Sequence, residues 1–302
     1  MSNQLFTAVV IIGLAWTSAS FSQDLEPRNY LNLPIDQSFV LVATAYSEGE
    51  MNAAPSVPLD DAQVEIVSTV AGFARTFELA GQLAKFDASV GVQCFDGDGF
   101  VDGVFAEASR CGSLDPKVRV AWNFYGAPAT TLEQYTLNDL RGTVVGTSFQ
   151  VGIPLGSYNG DKLINSGANR WFFKPEIGAS HTWNTWSVDA AFSVTVFTDN
   201  DDFIVDRELT QDNIYALQAH LIHLFPKGVW LAIDANYFWG GKTKKDGIGS
   251  ADLLKNSRFG ATLVWPVSPR HLIKFLAHSS LATTVGNDFN TYGIAWQYRW
   301  GD

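Results

Sequence analysis

The stretch "TYGIAWQYRW" (residues 291–300) decides the fold. Tyr292, Ile294, Trp296, Tyr298 and Trp300 fall on one parity, and Gly293, Ala295, Gln297 and Arg299 on the other. A period of two is the signature of a β-strand, whose successive side chains leave opposite faces. One face here is large and aromatic, the other small or polar. In a soluble sandwich the apolar face turns inward, and large rings have no reason to gather at strand ends. In a membrane barrel the apolar face meets lipid, and amphipathic rings mark both interfaces. The stretch therefore predicts a lipid-facing aromatic side, with Gln297 and Arg299 directed to a polar interior.

The alternation recurs along the chain. In "VWLAIDANYFW" (229–239), Leu231, Ile233, Ala235, Tyr237 and Trp239 oppose Asp234 and Asn236. In "NSRFGATLVW" (256–265), Phe259, Ala261, Leu263 and Trp265 oppose Arg258, Gly260 and Thr262. "IYALQAHL" (214–221) and "LAKFDASVGVQ" (83–93) repeat it, while Leu272 and Leu276 blur it in "HLIKFLAHS" (271–279). Candidate strands lie near 38–47, 63–76, 82–94, 116–126, 142–153, 171–182, 186–198, 213–224, 229–240, 256–266, 271–281 and 290–300. Short links at 77–81, 183–186, 225–228 and 266–270 alternate with longer polar ones at 48–62, 95–115, 154–170, 199–212, 241–255 and 282–289. The link "GAPATTLEQYTLNDLR" (126–141) is expected to hold a small helix.

These features predict an all-β fold: a transmembrane antiparallel β-barrel of about twelve strands, an up-and-down meander over residues 38–302. The last strand closes against the first, near "QSFVLVATAY", so that no edge is left open in lipid. An even strand number places both termini and the short turns on the periplasmic side of a Gram-negative-type outer membrane. Partners follow from that setting: outer-membrane lipid and lipopolysaccharide, the barrel-assembly machinery that reads a terminal aromatic such as Trp300, and a small-molecule solute. The "GD" after Trp300 departs from a terminus on the aromatic itself.

Composition agrees. Only 17% of the 302 residues are charged, below the roughly 25% usual for soluble domains, while 10 are tryptophan. The net charge of -11 argues against a nucleic-acid partner, which requires a basic face. The start "MSNQLFTAVVIIGLAWTSASFSQ" has an apolar core and small residues Ser18, Ser20 and Ser22, and reads as a signal peptide over 1–22, cleaved on export. Residues 23–37 precede the first strand and are stiffened by Pro27 and Pro34. Two readings stay open for them, a plug in the lumen and a periplasmic linker. Export permits a disulfide, and the only cysteines, Cys94 and Cys111, flank the Gly/Asp-rich "FDGDGFVDGVFAEASR", which reads as a stapled loop.

The polar parity collects Lys85, Asp87, Lys117, Arg119, Lys174, Glu176, Asp189, His220, Asp234, Arg258, Lys274 and Arg299. A lumen this wide is not filled by side chains alone, so these residues are expected to line a path for small solutes and to pair across it; the alternative is a salt-bridged filling that stiffens an occluded structural or surface-interaction barrel. Trp183, Trp186, Trp230, Trp239, Trp265, Tyr298 and Trp300 are expected in the aromatic girdle. Asp199, Asp201 and Asp202 in "FTDNDDF" (197–203) lack the Gly turn and distal Glu of a calcium loop and read as a solvated loop tip. No GxSxG, HExxH or GxGxxG motif occurs in a usable context, so no enzyme, catalytic residue, metal or cofactor is expected.

Taken together, "DLEPRNYLNLPIDQSFVLVATAYSEGE" (24–50), "NRWFFKPEIG" (169–178), "FTDNDDF", "IYALQAHL", "GVWLAIDANYFWGGKT" (228–243), "NSRFGATL" (256–263) and "DFNTYGIAWQYRW" (288–300) resemble the phenol meta-pathway degradation family of outer-membrane proteins. The resemblance implies a membrane-spanning barrel and uptake of aromatic or other hydrophobic compounds, with no catalytic residues to carry over. The pair Cys94/Cys111 lies outside the family pattern.

Overall fold

The computed structural model describes residues 26–52, 59–101, 103–162, 164–204 and 207–301. The leader expected over residues 1–22 lies outside the described residues. In chain order the strands are β1 (Gln37–Asn52), β2 (Leu59–Leu79), β3 (Gln82–Val101), β4 (Val104–Ser113), β5 (Lys117–Tyr125), β6 (Gly142–Gly152), β7 (Phe172–Trp183), β8 (Trp186–Phe197), β9 (Asn200–Phe203), β10 (Arg207–Gln211), β11 (Ile214–Leu224), β12 (Trp230–Gly240), β13 (Thr243–Lys245), β14 (Ile248–Gly249), β15 (Leu254–Pro266), β16 (His271–Ala282) and β17 (Gly286–Gly301).

A 13-stranded antiparallel sheet closes on itself. Because β4 and β5 pair with the upper and lower parts of the same strand, β3, they form one interrupted stave, and the barrel has twelve. Closure is made by β1 against β17, in continuous register from Gln37↔Gly301 to Asn52↔Gly286. The parity of "TYGIAWQYRW" is realised there: Tyr292, Ile294, Trp296 and Trp300 are exposed on the outer face, while Ala295, Gln297 and Arg299 are buried inside. Short turns collect at the end that carries both barrel termini. At the tightest, Ala80 (φ 53) and Gly81 (φ 76) both take positive φ, the conformation that matches the twist of a two-residue hairpin.

At the other end the structure corrects the expected loops. The stretch 95–115 is not a loop but a hairpin, the upper part of β3 with β4, and Cys94 and Cys111 face each other across it with Cα atoms 4.0 Å apart and a disulfide between them. The links 199–212 and 241–255 contribute β9, β10, β13 and β14 to a separate 4-stranded sheet at the rim. At the short-turn end, the helix expected in 126–141 is one 3-10 turn, Leu137–Leu140. It is capped by Thr136, whose N–H and hydroxyl both donate to Asp139. The wall is uneven: β2 and β3 run 21 and 20 residues, where about 9–11 cross the hydrocarbon, so β1–β4 continue well beyond the membrane.

The disulfide sits in this projecting part and not in the closed ring. Replacing Cys94 and Cys111 by serine should leave a heat-modifiable, folded barrel while amide exchange in the β3–β4 hairpin rises by about tenfold or more. Exchange that rises equally in β11 and β12 would show instead that the staple holds the whole ring.

Candidate functional site, the barrel lumen

Each residue expected on the inner face stands there and is buried: Lys85 and Asp87 on β3, Arg119 on β5, Lys174 and Glu176 on β7, Asp189 on β8, His220 on β11, Asp234 on β12, Arg258 on β15, Lys274 on β16 and Arg299 on β17. The structure brings five of them into two clusters. Arg119 Nε donates to both oxygens of Asp87 (3.1 and 3.0 Å), and Lys85 Nζ lies 3.9 Å from the same carboxylate. Asp234 takes hydrogen bonds from His220 Nδ1 (2.7 Å) and Thr262 Oγ1 (2.7 Å), with His278 Nε2 at 3.7 Å. Asp189 is the register partner of His220, yet it and Glu176 take hydrogen bonds from outside these two clusters. Arg299 donates to the Pro269 carbonyl at 3.1 Å, and Lys117 lies over the Phe172 ring. The oppositely charged groups lie on adjacent or nearby staves, and the centre of the lumen is taken by something else.

That occupant is the chain itself. Residues 26–36 rise from the short-turn rim into the barrel, and all but Asn29, Ile35 and Asp36 are buried. At the rim Thr76 donates to the Pro34 carbonyl (2.8 Å), and Ile35 N donates to the Thr130 carbonyl (2.9 Å). Higher up, Asn123 donates to the Leu31 carbonyl and the Tyr135 hydroxyl to the Asn32 carbonyl. Burial pushes the Tyr135 phenol up from its ordinary value. Glu176 accepts from the Tyr30 hydroxyl (2.9 Å) and from Asn29 Nδ2 (3.2 Å). Asp189 accepts the Arg28 N–H (2.7 Å), a geometry set by the left-handed backbone at Arg28 (φ 67). At the far end Glu26 accepts a hydrogen bond from Arg119 Nη1 at 2.6 Å. Buried carboxylates must find donors, and the segment supplies them to Glu176 and Asp189.

The wall is shaped for this segment. Gly146 on β6 and Gly178 on β7 are register partners, and the Tyr30 ring lies flat over both. A Cβ at Gly178 would stand 2.3 Å from the ring, and one at Gly146 2.6 Å from it. Only glycine permits that approach.

The inner face also holds apolar patches that alternation does not reveal. Ile222, Trp230, Ala232, Val264 and Leu272 pack together at the short-turn end, and Ile214, Ala216 and Phe238 toward the opposite end. Trp230 therefore departs from the expected girdle: it is 1% exposed, points inward, and carries the Arg28 guanidinium 5.5 Å from its ring centre. Its parity is that of Asp234 and Asn236, the signal that places it inside. Leu272 and Leu276 face inward for the same reason. Trp183, Trp186, Trp265, Tyr298 and Trp300 stand outside at the short-turn end, where Tyr298 and Trp300 stack at 5.7 Å. Trp239 stands outside at the other end, stacked on Tyr215 and Tyr237. Asp199, Asp201 and Asp202 are exposed on the rim, and no metal-holding group of three His, Cys, Asp or Glu occurs among the described residues.

The family model described as "Putative MetA-pathway of phenol degradation" matches residues 52–298. The chain belongs to this family. Among solved structures it is similar to the COG4313 outer membrane channel from Pseudomonas putida F1, with 19% identity, a TM-score of 0.77, and coverage of 91% of this chain and 99% of that one. It is also similar to the transport unit of the autotransporter AIDA-I from Escherichia coli, with 10% identity, a TM-score of 0.53, and coverage of 87% and 90%. No curated protein sequence matches the chain. Its fold is that of an outer-membrane β-barrel.

The glycine seat gives a direct test of how the inner segment is held. In an otherwise native chain carrying Asn29→Cys, the new thiol should resist a membrane-impermeant maleimide. Adding Gly146→Ala and Gly178→Ala should speed labelling by about tenfold or more, because the Tyr30 ring must lift from the wall. Unchanged labelling in a folded variant would show that the ring is not what seats the segment.

Proposed function

We propose that this protein is a passive channel for small molecules, aromatic or otherwise hydrophobic, closed by residues 26–36 and opened when that segment leaves the lumen. The observation that carries the reading is the mixed inner face: a polar middle bounded by inward Ile, Phe, Trp and Val side chains. A conduit for ions alone has no use for Ile214, Phe238, Ile222 and Trp230 on its wall. A neutral ring compound, by contrast, gains about 25 cal/mol for each Å² of apolar surface it buries there. The family description, with its reference to phenol degradation, agrees with an aromatic cargo. Solute moves down its gradient, and no cofactor is needed. In the open state Lys174, Glu176, Asp189, Asp234, Arg258 and Arg299 would line the path and set its polarity limits.

A second reading has its own support. A lumen occupied by a segment with this many partners also suits a structural or surface-interaction barrel that never opens. The two readings separate in a planar bilayer. The mature chain and a variant lacking residues 23–36 are refolded, checked for heat-modifiable migration, and compared for conductance and for phenol flux in proteoliposomes. The channel reading expects low or intermittent conductance from the first, and steady conductance with phenol flux from the second. Silence from both folded forms sinks it in favour of the structural reading.

The lining assignment has a separate test in the segment-deleted form. Arg258→Gln and Glu176→Gln should shift the reversal potential in opposite directions under a salt gradient, because one removes a cation and the other an anion from the wall. Unmoved potentials in both would remove these residues from the path.

A further inference from the structure

β4 is an edge of the main sheet. Among the described residues it pairs only with β3. Its lower end is covered: Ser157 N donates to the Ser113 carbonyl (2.8 Å), Ser113 N donates back to Ser157 Oγ (2.9 Å), and Arg110 reaches Asn165. Above that the cover ends, and every residue from Val104 to Ser109 is exposed.

Backbone groups in a strand turn to alternate edges, residue by residue. Ser113 turns its N–H and C=O away from β3, so Ser109, Glu107 and Phe105, on the same parity, do so too. Among the described residues these donors and acceptors have no backbone partner, and they stand in line, the template for adding a strand. Natural edges are usually blunted by lysine, proline or a bulge. Between Val104 and Ser109 there is neither proline nor lysine, and the register with β3 is unbroken. The Cys94–Cys111 disulfide fixes the edge in place, so little order remains to be gained when a partner docks.

The side chains say which partner fits. Phe105, Glu107 and Ser109 share the outer face with their register partners Phe100, Asp98 and Asp96, and the two phenylalanine rings meet edge to face at 5.8 Å. The rung of Glu107 and Asp98 continues through Gln63 to Glu50 and Asp288, and the rung of Ser109 and Asp96 through Glu65 to Glu48. No basic side chain stands on either rung. Glu48, Glu65, Asp96, Asp98 and Glu107 border an open concavity of about 720 Å³. A second copy of this chain would set acid against acid across a β4–β4 pairing, with Glu107 near its centre, and like charges across a sheet repel.

We infer that the free edge of β4, Val104–Ser109, is a docking strand for an extended, basic segment of a partner polypeptide on the outer side of the membrane. The partner adds one antiparallel strand. It places an apolar side chain opposite Phe105 and lysine or arginine opposite Glu107, the longer basic chains reaching Asp96 and Asp98. The inference does not depend on the lumen being a conduit.

The test uses the full mature chain refolded in detergent and a nine-residue peptide in which valine and lysine follow one another at i and i+2 on one face, so that valine meets Phe105 while lysine meets Glu107. A second peptide of the same charge is N-methylated on every residue, so that neither of its edges can donate to a neighbouring strand. Binding is followed by fluorescence anisotropy, and the site by amide exchange. The inference expects the first peptide to bind and to slow exchange at Phe105, Glu107 and Ser109, with the methylated peptide about tenfold weaker or more. Glu107→Pro removes an outward N–H, as edge prolines do, together with the carboxylate opposite the basic side chain, and should weaken binding by at least a similar factor while the disulfide and conductance stay unchanged. Should that variant misfold, Asp98→Asn with Glu107→Gln serves instead, and should reduce both affinity and its salt dependence. Equal binding of the methylated peptide would reduce the patch to a charged surface without strand addition and overturn the inference. So would no binding at all, affinity untouched by loss of both carboxylates, or β4 amides already protected in a cross-linkable dimer without peptide.

Discussion

A chain in hydrocarbon has no water to satisfy its N–H and C=O groups, and each one left unpaired costs several kcal/mol. The long register between β1 and β17 meets that demand by joining the two ends of the meander. Everything else follows from it. Once the ring is closed, each strand has one lipid face and one enclosed face, so alternation is forced on the sequence. The barrel must also have an inside, whose contents the chain has to provide. The same demand relaxes above the membrane, where water can serve the backbone. There the stave made by β4 and β5 breaks at Leu114–Pro116, and β4 can end with an open edge.

The inside is where charge must be reconciled with burial. Arg119, held by Asp87 on the wall and Glu26 on the inner segment, shows how. A single carboxylate partner would leave part of the guanidinium's hydrogen-bonding capacity unmet, and breaking a buried pair costs about 3–5 kcal/mol. Glu176 and Asp189 receive donors from Asn29, Tyr30 and Arg28. The inner segment is thus part of the barrel's electrostatic completion, and the flat seat at Gly146 and Gly178 shows the wall shaped to receive it.

Much of this was legible in the sequence because a barrel writes its parity into every strand. The staves, the short and long links and the inward place of residues such as Lys174 and Asp234 follow from a period of two. Trp230 shows where that reading goes astray: residue type suggested a girdle, while its parity, shared with Asp234, put it inside. Phe238 and Ile214 escaped notice because an apolar residue on the polar parity looks like noise until the enclosed face is seen to carry apolar patches. The β3–β4 hairpin was hidden by its glycines and aspartates, which mimic a loop although the ladder runs through them. The path of residues 26–36 has no period at all. Its position rests on long-range pairs such as Tyr30 with Glu176, and no local pattern announces those.

On the proposed reading, the residues that hold the segment and those that line the open path are the same. With the segment seated, Glu176 and Asp189 are satisfied by Tyr30, Asn29 and Arg28. With it gone, they face a lumen wide enough for water, which replaces those donors. Hydration of the freed carboxylates, and of Arg28 and Glu26 on the departing segment, offsets the hydrogen bonds that are lost. The apolar contacts have no such substitute. The Tyr30 ring on Gly146 and Gly178, and the packing of Leu31 and Leu33 against Leu83 and Val144, lose their burial when the segment leaves unless an apolar solute takes its place. The polar contacts therefore set where the segment sits, and the apolar ones set how firmly it stays. A hydrophobic cargo that competes for the same wall would favour its own passage.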